Sequence, residues 1–371
     1  MKLAIYGYDT IVGKMVLEML DANEHIHLDE FYPLSPIPLE YDAVPLKGKN
    51  HLITFVNEFD FSKVEVALFL TTKDLSETWI PVATAAGCIV IDDSHLYSGA
   101  KGEDGKATVI ASTINPFKIG AVDATKVAAL PHATSIEIAA PLNELVHDFE
   151  VRKLVVTALI AASEHGELGT QTLARETTML LNGQGVEVVD FPAQLAFNVL
   201  TRVGAVDSTG MSEHERTIIE EVRALVPDYS GPISLTCIQV PTFYGHTLSV
   251  QVELTTDESL EDVKDSLSNN PDLIFEEGIK ELLAQLKAEA EDAKEESAES
   301  SAGEAAGATD ELMVSPVTCA DFERDAIFLS RLRKVGPGTY DFTAVMDNTR
   351  YGEAKAALDL LALIQKHRKA H

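Results

Sequence analysis

The sequence predicts an α/β protein with a parallel-sheet domain at the start of the chain and a second, α+β domain after it. Three observations predict this. Lys2 to Tyr6 is a short apolar strand that enters a turn at Gly7 and is followed by Val12, Met15, Val16, Met19 and Leu20 at helical spacing. Further strands at 64–70 and 88–92 alternate with helical segments, and such alternation implies a parallel sheet. Later, Leu248, Val250, Val252 and Leu254 alternate with Ser249, Gln251 and Glu253, the pattern of a half-buried antiparallel strand. A length of 371 residues suggests two domains, and 46% apolar residues suffice for a sizeable core.

The remaining elements follow from local pattern. A helix is expected to begin near Ser76 and to carry Pro81 in its early turns. Residues 273–287 show helical spacing at Ile279, Leu282, Leu283 and Leu286. Residues 289–311 hold nine acidic residues and one basic one, Lys294, among Ala, Ser and Gly. This composition predicts a disordered acidic surface insert, with a partner-binding arm as the sharper alternative. Strands are expected at 326–334 and 340–346. A final helix places Ala354, Ala357, Leu358, Leu361 and Ile364 on one face, and Lys366, Arg368 and Lys369 complement its dipole.

Charge narrows the function classes. With 29 basic against 59 acidic residues the net charge is -30, which disfavours a nucleic-acid partner and an anionic membrane surface. The first residues carry too short an apolar run for a signal peptide, and no stretch approaches the length of a membrane span, so a cytoplasmic protein is expected. Cys88, Cys237 and Cys319 lie far apart without paired spacing and read as buried free thiols. His25 and His27 form the one tight imidazole pair and read as one face of a strand, so no metal site is expected.

Several motifs carry a resemblance. The turn Gly7-Tyr-Asp-Thr-Ile-Val-Gly13 is similar to a Gly-Ala-Thr-Gly-x-Val-Gly dinucleotide loop whose middle glycine is Thr10. Val90 to Ser94 resembles a Val-Ile-Asp-Asn-Ser run, Pro192 to Val199 a Pro-x-Pro-Ile-Ala-Phe-Asn-Val segment, and Asp347 to Gly352 an Asp-Asn-Leu-Arg-Lys-Gly turn. Thr236-Cys-Ile-Gln-Val-Pro-Thr-Phe-Tyr-Gly-His246 follows Thr-Cys-Val-Arg-Val-Pro-Val-Phe-x-Gly-His in order and spacing. Together these resemble the aspartate-semialdehyde dehydrogenases, enzymes linked to amino-acid biosynthesis. The resemblance implies a Rossmann-like NAD(P)-binding-type domain (1–132 plus 342–371). Residues 133–341 would then form an α+β domain whose mainly antiparallel sheet makes a homodimer.

Against that family, functional positions are altered. Its nucleophilic cysteine corresponds to Ala133, its substrate-orienting glutamine to Ile160, its carboxylate-clamping arginine to Gln239 and its phosphate-binding arginine to Ser98. A methyl group cannot form the hemithioacetal and thioester of covalent aldehyde oxidation. A neutral Gln239 cannot present the charged fork that a carboxylate fits. His246 matches the acid–base histidine. Glu213 and Arg216 match substrate-site charges, read otherwise as an exposed i, i+3 pair. Gly7, Gly13 and Asn348 match cofactor contacts. Asp9 and Thr10 crowd the pyrophosphate position and cap the helix, and Thr72-Lys73 replaces a Gly-Gly pair, so NAD(P) affinity is expected to be weak or lost.

This combination resembles the Usg-type branch, which carries the fold without the cysteine. It implies a dimeric pseudoenzyme acting through its surface or through a small ligand. Two alternatives stand beside it. One is an NAD(P)-dependent oxidoreductase acting on an aldehyde or oxo group with altered chemistry, in which Thr134 or Ser135 replaces the thiol, though no base for the hydroxyl is evident in the sequence, or His246 supports non-covalent hydride transfer. The other is an NAD(P)-binding sensor without turnover.

Overall fold

The computed structural model describes residues 1–39, 41–97, 107–281, 313–321 and 325–370. Its first sheet draws on β1 (Lys2–Tyr6), β2 (Glu30–Ser35), β5 (Thr54–Phe55), β6 (Val66–Phe69), β7 (Ile89–Asp92), β8 (Thr108–Val109) and β9 (Val127–Ala129), while β3 (Ala43–Leu46) and β4 (Lys49–Leu52) form a separate hairpin. The order is β5-β2-β1-β6-β7-β9-β8, and every pair is parallel. Alternate residues of one strand therefore enter different cores. Leu3 and Ile5 of β1 join Val66 and Leu68 on one face, and Ala4 and Tyr6 join Ala67 and Phe69 on the other. Burial of both faces is the mark of a parallel sheet.

Helices α1 (Ile11–Ala22), α2 (Lys73–Ala85) and α3 (Ile119–Thr125) connect these strands. Helix α2 starts three residues before the expected Ser76, at the Thr72 N-cap with Asp74 in its first turn, and Pro81 stands well inside it rather than near its start. His25 and His27 are not on a strand. They lie in the connection after α1, where Asn23 Oδ1 accepts the His25 amide at 2.8 Å and so favours a turn over extension.

The chain then crosses through α4 (Ala133–Asp148) into β10 (Val151–Ile160), α5 (Gly166–Leu181), α6 (Glu213–Leu225), β11 (Ile233–Gln239), β12 (His246–Leu254), α7 (Leu260–Ser268), β13 (Leu273–Phe275), α8 (Pro316–Asp321), β14 (Ile327–Gly336) and β15 (Thr339–Met346). Strand order in this second sheet is β11-β10-β12-β15-β14-β13. The three central pairs are antiparallel, and the outer pairs, β10 with β11 and β13 with β14, are parallel. Ile136, Leu142 and Leu145 of α4, Ile218 and Val222 of α6, and Val263 of α7 join Leu154, Val156, Val250 and Val252 in a continuous core.

Two expectations change here. Residues 273–275 form β13, because Leu273, Ile274 and Phe275 pair with Ile327, Phe328 and Leu329. Helical structure begins only at residue 276, where Ile279 is buried. Residues 342–346 belong to the second sheet, since β15 pairs with β12 as far as Met346. The chain leaves that sheet after Met346 through a π-helical turn (Asn348–Lys355) and enters α9 (Ala356–Ala370). Leu358, Leu361 and Ile364 of α9 then pack with Val16 and Leu20 against Leu3 and Ile5. The acidic insert 289–311, Leu282, Leu283, Leu286 and Ser98 lie outside the described residues.

Candidate functional site

Where β1 enters α1, two glycines are required by close backbone approach. Gly7 has φ +96°, and a Cβ there would lie 2.1 Å from the Leu70 carbonyl oxygen, while one on Gly13 would lie 2.0 Å from the Gly7 oxygen. Thr10 is the N-cap. Its Oγ1 accepts the Gly13 amide at 3.0 Å and donates to the Gly7 carbonyl at 2.8 Å, so the loop is closed on itself. Thr72 and Lys73 stand exposed beside it.

The second component is the start of α4. Ala133 is its first residue, 1% exposed, and a Cβ placed on Gly352 of the π-helical turn would come 2.4 Å from the Ala133 methyl. Next to it, the fully buried Glu221 carboxylate receives the His132 amide at 2.9 Å, His132 Nδ1 at 3.0 and 3.1 Å and the Ser135 hydroxyl at 2.5 Å. A helix N-terminus favours an anion, and Glu221 supplies one from within the chain. Burial opposes charge on Glu221, yet the charge and hydrogen bond of His132 hold its carboxyl down to about 2. Burial likewise opposes charge on His132, and Glu221 overrides it and raises the imidazole above its usual value. The structure thus places a carboxylate on Ser135 that the sequence did not reveal, because 86 residues separate the two.

A second histidine–carboxylate pair faces the first. The Ala161 amide donates to His246 Nδ1 at 3.2 Å, which leaves the proton on Nε2 to be donated to Glu164 Oε2 at 2.9 Å. The other oxygen, Glu164 Oε1, lies 3.6 Å from His214 Nε2. Burial and the charges around it differ in sign for Glu164. Its desolvation is outweighed by His246, His214 and His132, and the carboxyl is held far below its usual range. Burial lowers His214 to about 4 and, with the charge of His132, His95 to about 3. The His95 ring stacks on His132 at 3.7 Å between centroids, and its φ of 56° is a left-handed conformation rare for a side-chain-bearing residue. Beside this cluster, burial and the charge of Asp92 push Asp93 up to about 8.

The remaining positions singled out in the sequence divide into those that meet here and those that do not. Asn348 Oδ1 accepts from the Ser163 hydroxyl at 2.9 Å and the Gly245 amide at 3.0 Å, tying the π-helical turn to the segment that carries Glu164 and His246. Ile160 is fully buried. Gln239 is 1% exposed, donates to the Ile160 carbonyl at 2.8 Å and lies with Oε1 3.2 Å from His165 Nε2, so its amide is used inside the protein. Glu213 and Arg216 are exposed, and Arg216 pairs with Asp207 at the surface. The inward side of α6 is instead His214, Ile218 and Glu221, spaced as one helical face. Cys88, Cys237 and Cys319 are buried free thiols. Burial pushes Cys88 and Cys319 up to about 12 and Cys237 higher still. Glu164, His132, His214 and Glu221 carry no sequence signal of their own. Glu221 and His132 are 89 residues apart, and only the fold makes them neighbours.

Comparison with known proteins agrees with this architecture. Residues 2–122 match the family described as "Semialdehyde dehydrogenase, NAD binding domain", and residues 142–351 match "Semialdehyde dehydrogenase, dimerisation domain". The chain belongs to the semialdehyde dehydrogenase family. It is 30% identical over 265 residues to aspartate-semialdehyde dehydrogenase 2 of Vibrio cholerae, covering 71% of this chain and 77% of that protein. It is 33% identical over 253 residues to the USG-1 protein homolog of Pseudomonas aeruginosa, covering 68% and 74%. The structure of a probable aspartate-semialdehyde dehydrogenase from Pseudomonas aeruginosa superposes with a TM-score of 0.80 at 28% identity, covering 99% of each chain. Among the described residues no helix of this family member is long and apolar enough to cross a membrane.

The NAD binding domain of this semialdehyde dehydrogenase homologue keeps the tight strand–turn–helix junction that a dinucleotide approaches. Its residues do not fit a pyrophosphate as they stand. The Gly13 amide is already satisfied by Thr10, and the Asp9 carboxylate is exposed on the same turn.

Proposed function

We propose that this family member does not oxidise an aldehyde through a thioester, and that it works as a non-catalytic homodimer, through its surface or through a small ligand. One observation carries the reading. The residue at the first position of α4 is a buried alanine packed against Gly352, and the chain's three thiols are buried with their pKa values raised. The internal use of Gln239 supports the loss of a carboxylate clamp. The likeness to a USG-1 protein homolog supports the Usg-type assignment. The match to a dimerisation domain supports the homodimer, as do exposed Leu181, Val189, Phe197 and Val199, apolar surface of the kind a second copy covers.

A different reading is favoured by one contact. The Ser135 hydroxyl donates to a carboxylate at 2.5 Å, as an activated nucleophile of an NAD(P)-dependent oxidoreductase would. Ser135 is fully buried, which sets access against it. The experiment that decides is NADPH formation by the purified protein with aspartate semialdehyde and phosphate. No turnover is expected, and turnover above background overturns the proposal. Calorimetric titration with NAD and NADP tests the sensor reading, which requires binding without oxidation.

A further inference from the structure

We propose that His132, His214 and Glu164 form a binding site for a divalent transition-metal ion of the zinc class, with a fourth position left for water or a ligand oxygen. One ligand atom from each of the three lies within 4.8 Å of the others. The 3.6 Å between His214 Nε2 and Glu164 Oε1 is too long for a hydrogen bond. It is close to the edge of a tetrahedron of ligands about 2.1 Å from zinc, which is roughly 3.4 Å. Two histidines and one glutamate are a known donor set for zinc with an open position.

The surroundings fit a metal better than they fit an empty polar cluster. His214 Nε2 is buried and makes no hydrogen bond among the described residues. Glu221 holds His132 through Nδ1, so Nε2 is left for a metal, the carboxylate–histidine–metal arrangement that fixes tautomer and ring direction. His95 stacks on the same ring and restricts its rotation. On the other side, the His246 Nε2–H bond occupies Glu164 Oε2 and turns Oε1 toward His214. His95, His132 and Glu221 form a rival grouping, but there the His132 Nδ1 is already bonded to Glu221.

The test needs no enzyme activity, so its outcome is independent of whether the chain oxidises aldehydes. The full-length protein is stripped with a chelator and dialysed against zinc or cobalt, with metal content and the visible spectrum of bound Co²⁺ as readouts. One ion per chain, with the absorption of a four-coordinate cobalt site, is expected. Glu164→Gln and His214→Asn are expected to weaken binding by more than about 100-fold, and Glu221→Gln, which leaves all three ligands in place, by about 10–100-fold. Replacing His25 and His27 by Ala is expected to change nothing. Failure of the unmodified protein to take up either metal at micromolar concentration overturns the proposal, and that result does not depend on any variant folding. Binding that survives Glu164→Gln, or that is lost with His25 and His27, overturns it equally.

Discussion

The methyl group of Ala133 is packed against the backbone of Gly352. A Cβ added at 352 would lie 2.4 Å from the Ala133 Cβ and 2.9 Å from its Cα. The first turn of α4 and the π-helical turn from the chain's far end are thereby locked together. Gly352→Ala is expected to force them apart and to lower stability by about 1–3 kcal/mol, the usual cost of overpacking. Chemical denaturation of the two proteins measures the difference.

Ala133→Cys returns a thiol to the start of α4, yet aldehyde oxidation is expected to stay near background. Gln239 is hydrogen-bonded to Ile160 and lies against His165, and neither Gln239 nor Ile160 supplies a charge for a substrate carboxylate. A missing charge-assisted contact is worth about 1.5–3 kcal/mol, or roughly 10–150-fold in rate. Steady-state NADPH formation is the readout, and robust rescue would show that the cysteine alone was lacking.

Thr10→Gly removes the hydroxyl that now satisfies the Gly13 amide. Freeing one helix-terminal donor for a phosphate is expected to tighten NADP binding by about tenfold. Replacing a threonine cap by glycine costs only a few tenths of a kcal/mol, so the variant stays folded. Calorimetry on both proteins gives the ratio, and an unchanged affinity would mean that the loop is not what limits binding.

Glu137 is fully buried in α4, and neither carboxyl oxygen has a hydrogen-bond partner among the described residues. Burial raises its pKa well above 4.5. For an acid whose native pKa is raised, the unfolded chain releases the proton first as pH rises. Stability is then greatest below about pH 4.5 and declines as the pH climbs toward the native value. Glu137→Met is therefore expected to stabilise the protein at neutral pH by about 1–3 kcal/mol, with the gain shrinking near pH 4. Urea titrations of both proteins across that range check the sign, and a gain that grows on acidification would refute it.

Much of the fold was legible without coordinates. Leu3 and Ile5, with Val16 and Leu20, announced strand, turn and helix by period alone, and the alternation from Leu248 to Leu254 announced β12. The helical spacing around Ile279 does not extend to residues 273–275, and the sequence cannot mark them as β13 because a three-residue strand has too few side chains to establish a period and its partner lies more than fifty residues later in the chain. The spacing of His25 and His27 fits a strand but does not make one, since alternation over three residues cannot be told from a turn. Glu213 and Arg216 are exposed charges on α6, while its inward face carries His214 and Glu221.

By itself the sequence determined the parallel first sheet, the glycines of its first turn, the half-buried strands of the second domain and the alanine at the head of α4. These rest on local covalent facts: side-chain period, φ preference and the absence of a thiol. Only the tertiary structure decided that Glu221 reaches His132 and Ser135, that Glu164 stands between His214 and His246, and that Gln239 is bonded within the protein. Those contacts join residues on different elements. Their proximity is set by how helices and sheets pack, and no local pattern in the chain records it.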